Sequence, residues 1–434
     1  MVDLGTLGGA TSFAVAVSNA GSVAGYADTA GGSTHAFSWT AAGGMVDLGT
    51  LGGSSSAATA VNNNGVVVGH ADTAGGSYHA FRWAPGDATL TDLGGLGGAY
   101  SSAAAVNDGG QVVGSATDGA GMQHAASWTG GGVINLEPSR YSAAVAVNSG
   151  GQAAGYAYSD DFSSVHAFSW TGAAGVSDLG TLGGQSSYAF AVNDAGQVVG
   201  AANRADGAQH AFSWTSGAGM SDLGTLGGQF SGALQVNGAG QAVGYGGTAA
   251  GDQHAFSTDP DDGHVVDLGT LGGSFSTAVD VNAAGKVAGF AVTAGGSMHA
   301  VLFSPPTPFD RVQEIVAGLP ANSPRFTAAA ADLGEALNPS LWNAGGTALS
   351  YPNGSQFFDA VKQAVDQLNK LPNSPVAQKA MADIWALAEQ LVGRSVPQSQ
   401  LATAEARWST GHTDALERLK QAWRTAGGAV QAGR

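Results

Sequence analysis

Ser, His and Asp recur together along this chain, and in combination they are the residues of acyl transfer. The hydroxyl is a nucleophile, the imidazole a base, and the carboxylate orients the base. One such set is Ser187, His210 and Asp222; others are Ser56, His79 and Asp92, and Ser231, His254 and Asp267. An active site is needed once, whereas this set returns in nearly every repeat of the sequence. The repeated polar residues are therefore expected to tie strands together through hydrogen bonds, with no catalytic residue among them. Zinc wants three or four ligands about 2 Å from the metal, and one His per repeat does not bring them together. The ADTAGG loops (27–32 and 71–76) lack the dense acidic spacing of calcium sites, so weak calcium binding by the acidic surface is the most that is expected of a metal, and no cofactor is expected. DLGTLGG is Gly-rich but opens no helix, so it is not a phosphate cradle.

These residues sit in a repeating text. Asp178 to Trp214 reads DLGTLGGQSSYAFAVNDAGQVVGAANRADGAQHAFSW. DLG or its stand-in begins at Asp3, Asp47, Asp92, Asn135, Asp178, Asp222 and Asp267, with steps of 43 to 45 residues. A His-Ala pair follows at His35, His79, His124, His166, His210, His254 and His299. The fourth copy is worn, because NLEPSRYS replaces DLGTLGG and its loop. Within the fifth copy, 187–193 alternates in the period of a strand, Asn193-Asp194-Ala195-Gly196 is turn chemistry, and 197–200 returns. His210 to Trp214 gives a third strand and Met220 to Leu223 a fourth. Four antiparallel strands at this period predict a propeller blade.

The fold class predicted is an all-β, seven-bladed β-propeller with a C-terminal α-helical domain. Residues 1–304 form the propeller, 305–308 a Pro-rich linker and 309–434 the helical domain. The chain opens on a fourth-strand segment, Val2-Asp3-Leu4, and the array ends at His299–Phe303 without one. Met1–Leu7 is therefore expected to complete the last blade and shut the ring, removing an exposed edge. The rival is an open β-solenoid, which needs capping elements and leaves that complementarity a coincidence. Aligned on the first hairpin, a Ser column (Ser12, Ser56, Ser101, Ser142, Ser187, Ser231, Ser276) and an Ala column (Ala14, Ala58, Ala103, Ala144, Ala189, Ala233, Ala278) mark crowded positions. Larger rings such as Phe37, Phe81, Phe168, Phe212 and Phe256 belong where space between blades is wider.

The seven His-Ala-Phe-like segments, set between DLGTLGG and AVNxxGQVVG, resemble the bacterial HAF repeat family over residues 1–304. Departures are His124-Ala125-Ala126, His299-Ala300-Val301 and the lost DLG at Asn135. The resemblance implies an extracellular or cell-surface location and a repeat architecture, and assigns no chemistry.

Charge narrows the partners. Residues 1–304 carry 21 acids against four bases (Arg82, Arg140, Arg204, Lys286), within a formal net charge of −17 for the chain. Such a surface repels phosphate backbones, so nucleic acid is not an expected partner. No apolar run approaches the roughly 20 residues that span a bilayer. Cys is absent, which removes disulfides and thiol chemistry. Met1 opens directly into a repeat strand, so the sequence reads as a mature or trimmed form without a secretion leader.

Function is expected where the repeats differ. By strand order, the fourth-to-first connection and the second-to-third loop share one face of each blade. The residue before the Ser column varies: Thr11, Ser55, Tyr100, Tyr141, Ser186, Phe230 and Phe275. With Arg140, Gln185, Gln229 and Tyr188 beside them, these positions supply stacking surfaces and hydrogen bonds for a sugar ring. The predicted ligand-binding residues are Tyr100, Arg140, Tyr141, Gln185, Tyr188, Gln229, Phe230 and Phe275, converging on one mouth near the ring axis. The leading reading is an extracellular, non-enzymatic binding or scaffold protein contacting polysaccharide or another surface partner. The alternatives are a hydrolase or lyase acting on an extracellular polymer, and a structural surface protein.

Residues 305–434 are a different kind of chain. Ser323-Pro324 and Ser374-Pro375 are helix starts, each placing a cap before Pro at the first turn. Phe358, Val361, Val365 and Leu368 form one apolar stripe, and Met381, Ile384, Trp385, Ala388 and Leu391 another. A helical hairpin is expected from Leu401–Trp408 and Thr413–Trp423. An accessory domain for envelope attachment or partner binding fits these features.

Overall fold

In a computed structural model the chain divides into two compact units, 1–304 and 305–434. The structure describes residues 2–130, 132–258, 263, 265–303, 308–321, 323–341, 349, 355–371, 374–393 and 412–421. Among its described residues the first unit is all β, with 27 strands in seven successive repeats, the last of which has three.

The fifth repeat shows how each is made. Its strands are Gly183–Val192, Val198–Arg204, Gln209–Thr215 and Gly219–Gly224, each antiparallel to the one before. The first hairpin turns at Asn193, whose Oδ1 accepts from Gln197 N, with Gly196 at φ 81°. The first strand carries a bulge between Ala189 and Ala191. There Gly200 lies against it so closely that a Cβ would collide with the carbonyl oxygen of Tyr188. The Gly of the VVG text is thus demanded by close approach of two backbones.

A single repeat does not bury its own apolar face, so the cores lie between neighbours. Between the fourth and fifth repeats, Ala154 and Ala167 pack against Ala189, Val198, Ala202 and Phe212. Polar bonds run across every such interface. Ala167 N donates to Ser187 Oγ at 2.8 Å, and the same bond joins Ala36 to Ser56 and Ala211 to Ser231. The hairpin Asn residues form a ladder: Nδ2 of Asn62, Asn107, Asn148, Asn193 and Asn237 donates to the backbone oxygen of Asn107, Asn148, Asn193, Asn237 and Asn282 respectively. Each net bond of this kind is worth about 1 kcal/mol, more where its loss strands a buried donor.

The expected ring closure is not what the structure shows. Val2–Thr6 lie outside any strand, and among the described residues no pairing or hydrogen bond joins them to Met298–Phe303. The strand Gly8–Val17 is largely exposed, as are Met298, His299 and Leu302 at the other end. Matching sequence at two ends establishes that they could pair. It does not establish that six successive interfaces carry one end round to the other.

The second unit contains α1 (Pro308–Gly318), α2 (Pro324–Ala336), α3 (Ser355–Leu368), α4 (Pro375–Gly393) and a helix over 412–421. Pro308, expected in the linker, opens α1, where a missing N–H costs nothing. Ser323 caps α2 by accepting from Arg325 N, and Ser374 Oγ accepts from Ala377 N at the start of α4. Phe358, Val361, Val365 and Leu368 of α3 and Met381, Ile384 and Ala388 of α4 are buried in one core, with Trp385 partly buried against it. Leu401–Trp408 and the side chain of Leu391 lie outside the described residues. No described helix is long and apolar enough to cross a membrane.

Candidate binding site

The repeated Ser, His and Asp are committed to different partners. His210 Nδ1 donates to both carboxylate oxygens of Asp222 at 2.8 and 2.9 Å, which clips the third strand to the fourth. Asp222 Oδ1 also accepts from Gly224 N, holding the DLG turn. The same clip is made by His35 with Asp47, His79 with Asp92, His166 with Asp178 and His254 with Asp267. The Ser hydroxyls face elsewhere: Ser187 Oγ accepts from Ala167 N and donates to Gly180 O. Serine and histidine are not joined in any of these bonds, so the arrangement is a set of strand clips.

The third repeat makes the point by exception. Asn135 replaces the carboxylate, and buried His124 turns to other acceptors. Its Nδ1 donates to the carbonyls of Glu137 and Arg140, both at 3.0 Å, and Nε2 lies 3.3 Å from Asp118. The Arg140 backbone is thereby fixed inward while its side chain stands exposed, with no ion pair among the described residues.

Ring contacts sort the predicted ligand residues into local groups along the array. Tyr100 packs on Tyr78 of the preceding repeat at 4.8 Å between centroids. Phe230 pairs with Tyr245 at 6.3 Å and Phe275 stacks on Phe290 at 6.0 Å, each within its own repeat. Gln185 and Gln229 are exposed beside them. Two of the small polar occupants bond the second strand instead: Thr11 donates to Asp28, and Ser55 Oγ donates to Asp72 at 2.7 Å. The Ser55 hydroxyl is the first cause that holds the Asp72 carboxyl below the usual carboxylate pKa.

Tyr141, which follows Arg140 in the chain, is linked to Tyr188 through rings the sequence reading passed over. Tyr141 meets Tyr158 edge-on at 5.5 Å; Tyr158 neighbours Tyr156 at 6.1 Å; Tyr156 meets Tyr188 of the next repeat at 5.4 Å. Phe162 completes the group, 5.7 Å from Tyr158 and 6.1 Å from Tyr141. Five rings are thus contiguous across the fourth and fifth repeats. Burial first, then the Tyr158 phenol, pushes Tyr188 up to about 12. Burial raises Tyr156 as well, aided by Tyr141 and Tyr158. The loop beneath is ordered by Asp161, whose Oδ1 accepts from the hydroxyls of Ser159 and Ser163, both at 2.7 Å. Those bonds, Ser159 first, hold its carboxyl down to about 2.

The signals for the missed rings were present. Tyr156-Ala157-Tyr158 places two tyrosines on a second strand that elsewhere has one ring or none, and YSDDFSS stands where the first, second and seventh repeats read TAGGS.

No known family description matches the sequence, and no curated protein matches it. Solved structures do. A puromycin hydrolase is similar over 68% of this chain and 52% of its own, at 15% identity and a TM-score of 0.44, so this chain spans about half that enzyme's length. The β-propeller domain of the Trilobed protease from Pyrococcus furiosus is similar over 60% of this chain and 83% of its own, at 10% identity and a TM-score of 0.40. The BP39L lectin from Burkholderia pseudomallei is similar over 65% of this chain and 95% of its own, at 11% identity and a TM-score of 0.35. The likeness is to propeller-like, multi-sheet β folds and carries no function across.

Proposed function

We propose that residues 1–304 are a HAF-type array of seven propeller-blade repeats that works outside the cell as a non-enzymatic binding surface for polysaccharide or another surface component. The observation that carries this reading is the division of labour between residues. The repeated Ser, His, Asp and Asn are consumed by bonds within and between repeats, while the variable positions set rings on a partly exposed face. Tyr78, Tyr100, Phe162 and Phe230 all stand exposed there. Rings beside Arg and Gln suit sugars, which offer an apolar C–H face and a rim of hydroxyls. The extracellular location rests on the repeat resemblance.

The test is a glycan array bearing neutral and charged glycans, run with isolated cell envelopes alongside. Wild type is expected to bind at least one of these. A combined Arg140→Ala, Tyr141→Ala, Phe230→Ala variant with an unchanged circular dichroism spectrum should bind it more weakly, by about 1 kcal/mol or more per stacking ring removed. Absence of binding to every glycan and envelope, or cleavage of a polymer by wild type, would replace this reading with one of the other two.

A further inference from the structure

Phe162 is the only described non-glycine residue with positive φ, at 56°. Its place in the repeat shows how unusual that is. The turn joining second and third strands closes with an N–H bonding three residues back: Gly32 N to Thr29 O at 3.0 Å, Gly207 N to Arg204 O at 3.0 Å, and Phe162 N to Ser159 O at 2.9 Å. In the other six repeats this position is Gly32, Gly76, Gly121, Gly207, Gly251 and Gly296, with φ between 81° and 93°. The fourth repeat thus sets a large aromatic side chain where the turn calls for none.

A side chain in that region costs roughly 1–2 kcal/mol. Burial does not offset the cost, because Phe162 is 58% exposed. Strain held at a largely exposed ring, with only its contacts to Tyr141 and Tyr158 in return, marks a residue kept for something other than stability. The surroundings indicate what. The ring lies beside Tyr141 and Tyr158, with exposed Arg140 next to Tyr141 in the chain and exposed Asp160 two residues before Phe162. The Asp161 bonds order the loop before any ligand arrives.

We propose that Phe162, Tyr141 and Tyr158 form a stacking platform for a sugar ring of a neutral polysaccharide, with Arg140 and Asp160 bonding its hydroxyls; this deepens, and rests on, the binding reading above. Aromatic rings take the C–H face of a pyranose, and charged groups of both signs serve hydroxyls as donor and acceptor. The formal charge of −17 works against polyanionic chains, and Arg140 at the platform works against polycationic ones, so the proposal is for a neutral one.

The experiment is native electrophoresis of the full chain through gels containing mixed-linkage β-glucan, xylan, galactomannan or dextran, with thermal melting in parallel. The variant is Phe162→Gly, which restores the residue of the other six turns. Wild type should be retarded by at least one of these polysaccharides. Phe162→Gly should lose roughly tenfold in affinity for it while its melting midpoint stays level or rises. Equal retardation of both proteins overturns the platform and leaves the wider binding reading standing. So does a wild type retarded by none of the four that still binds a charged glycan or an envelope. A variant melting several degrees lower makes Phe162 a packing residue and overturns the proposal. Absence of binding to these gels, to the glycan array and to envelopes removes both readings together.

Discussion

Ser187 and Ser12 stand at the same place in the fifth and first repeats, yet Ser187 is wholly buried and Ser12 is partly exposed. Their neighbours repeat the contrast. Ala189 is buried and Ala14 exposed; Asn237 is buried in the ladder, and Asn282, its last member, is exposed. The residues are of the same kind and the local backbone is the same. What differs is whether another repeat lies alongside. In this molecule burial belongs to the interface, and a column of identical residues does not carry identical energies.

The sharpest way to expose that contrast is to cut the same core position twice. Phe212 is fully buried, so Phe212→Ala should cost about 3–5 kcal/mol in denaturant unfolding. Its counterpart in the last repeat is the partly buried Val301, and Val301→Ala should cost only about 1 kcal/mol. Equal losses would mean that the ends are as enclosed as the middle.

Next comes the Ser column. Ser187→Ala strands the buried N–H of Ala167 and should cost about 1–3 kcal/mol. Ser12 donates only to Gly5 O at an exposed site, so Ser12→Ala should fall within about 0.5 kcal/mol of wild type. A ring that shuts in solution would set Ser12 against Ala300 and bring the two losses level.

Titration reads one interior contact by itself. The folded-state value for Tyr188 is raised to about 12, above the ordinary 10. The folded chain therefore holds that proton more tightly than the unfolded one. The contribution is fully present below pH 10 and is lost as pH rises towards 12. Tyrosinate absorbance should show a late-ionising phenol that disappears in Tyr188→Phe, and the alkaline fall in melting temperature should be shallower in that variant. Ionisation of every tyrosine near pH 10 would contradict the packed cluster.

The smallest effect is expected from the chain start. Within residues 1–4 the described bonding is one contact, Asp3 Oδ1 accepting from Gly5 N. Their removal should change stability by less than about 0.5 kcal/mol. Loss of several kcal/mol would show that Val2–Leu4 pairs with the edge beside Phe303 after all.

Much of this architecture was legible because it is written several times. The Asn-Gly hairpins, the Ser and Ala columns and the His–Asp pairs each recur, so a structural role outweighs a chemical one before any coordinates are seen. Ser323 and Ser374 were equally readable, since a cap before Pro depends only on neighbours in sequence. Two things were out of reach. Closure depends on the sum of small rotations over six interfaces, which no local motif records. The ring cluster of the fourth and fifth repeats was half visible: Tyr141 and Tyr188 stood out as variable strand positions, whereas Phe162 becomes notable only when loops of unlike length are aligned by their hydrogen bonds. Tyr100, Phe230 and Phe275 each have a ring partner on an adjacent strand, a contact that no variable position announces by itself.

The Asn ladder has a consequence for how such a chain changes over generations. Donor and acceptor are the same residue type at the same position, so any repeat carrying both can follow any other. Duplication or excision of one whole repeat leaves every buried amide with a partner. Insertion of a single residue in the segment from Ser187 to Gln197 would shift the bulge, the Ser hydroxyl and the Asn amide out of step with both neighbours at once. The length of the array is free to change by about 44 residues at a stroke and is nearly forbidden to change by one.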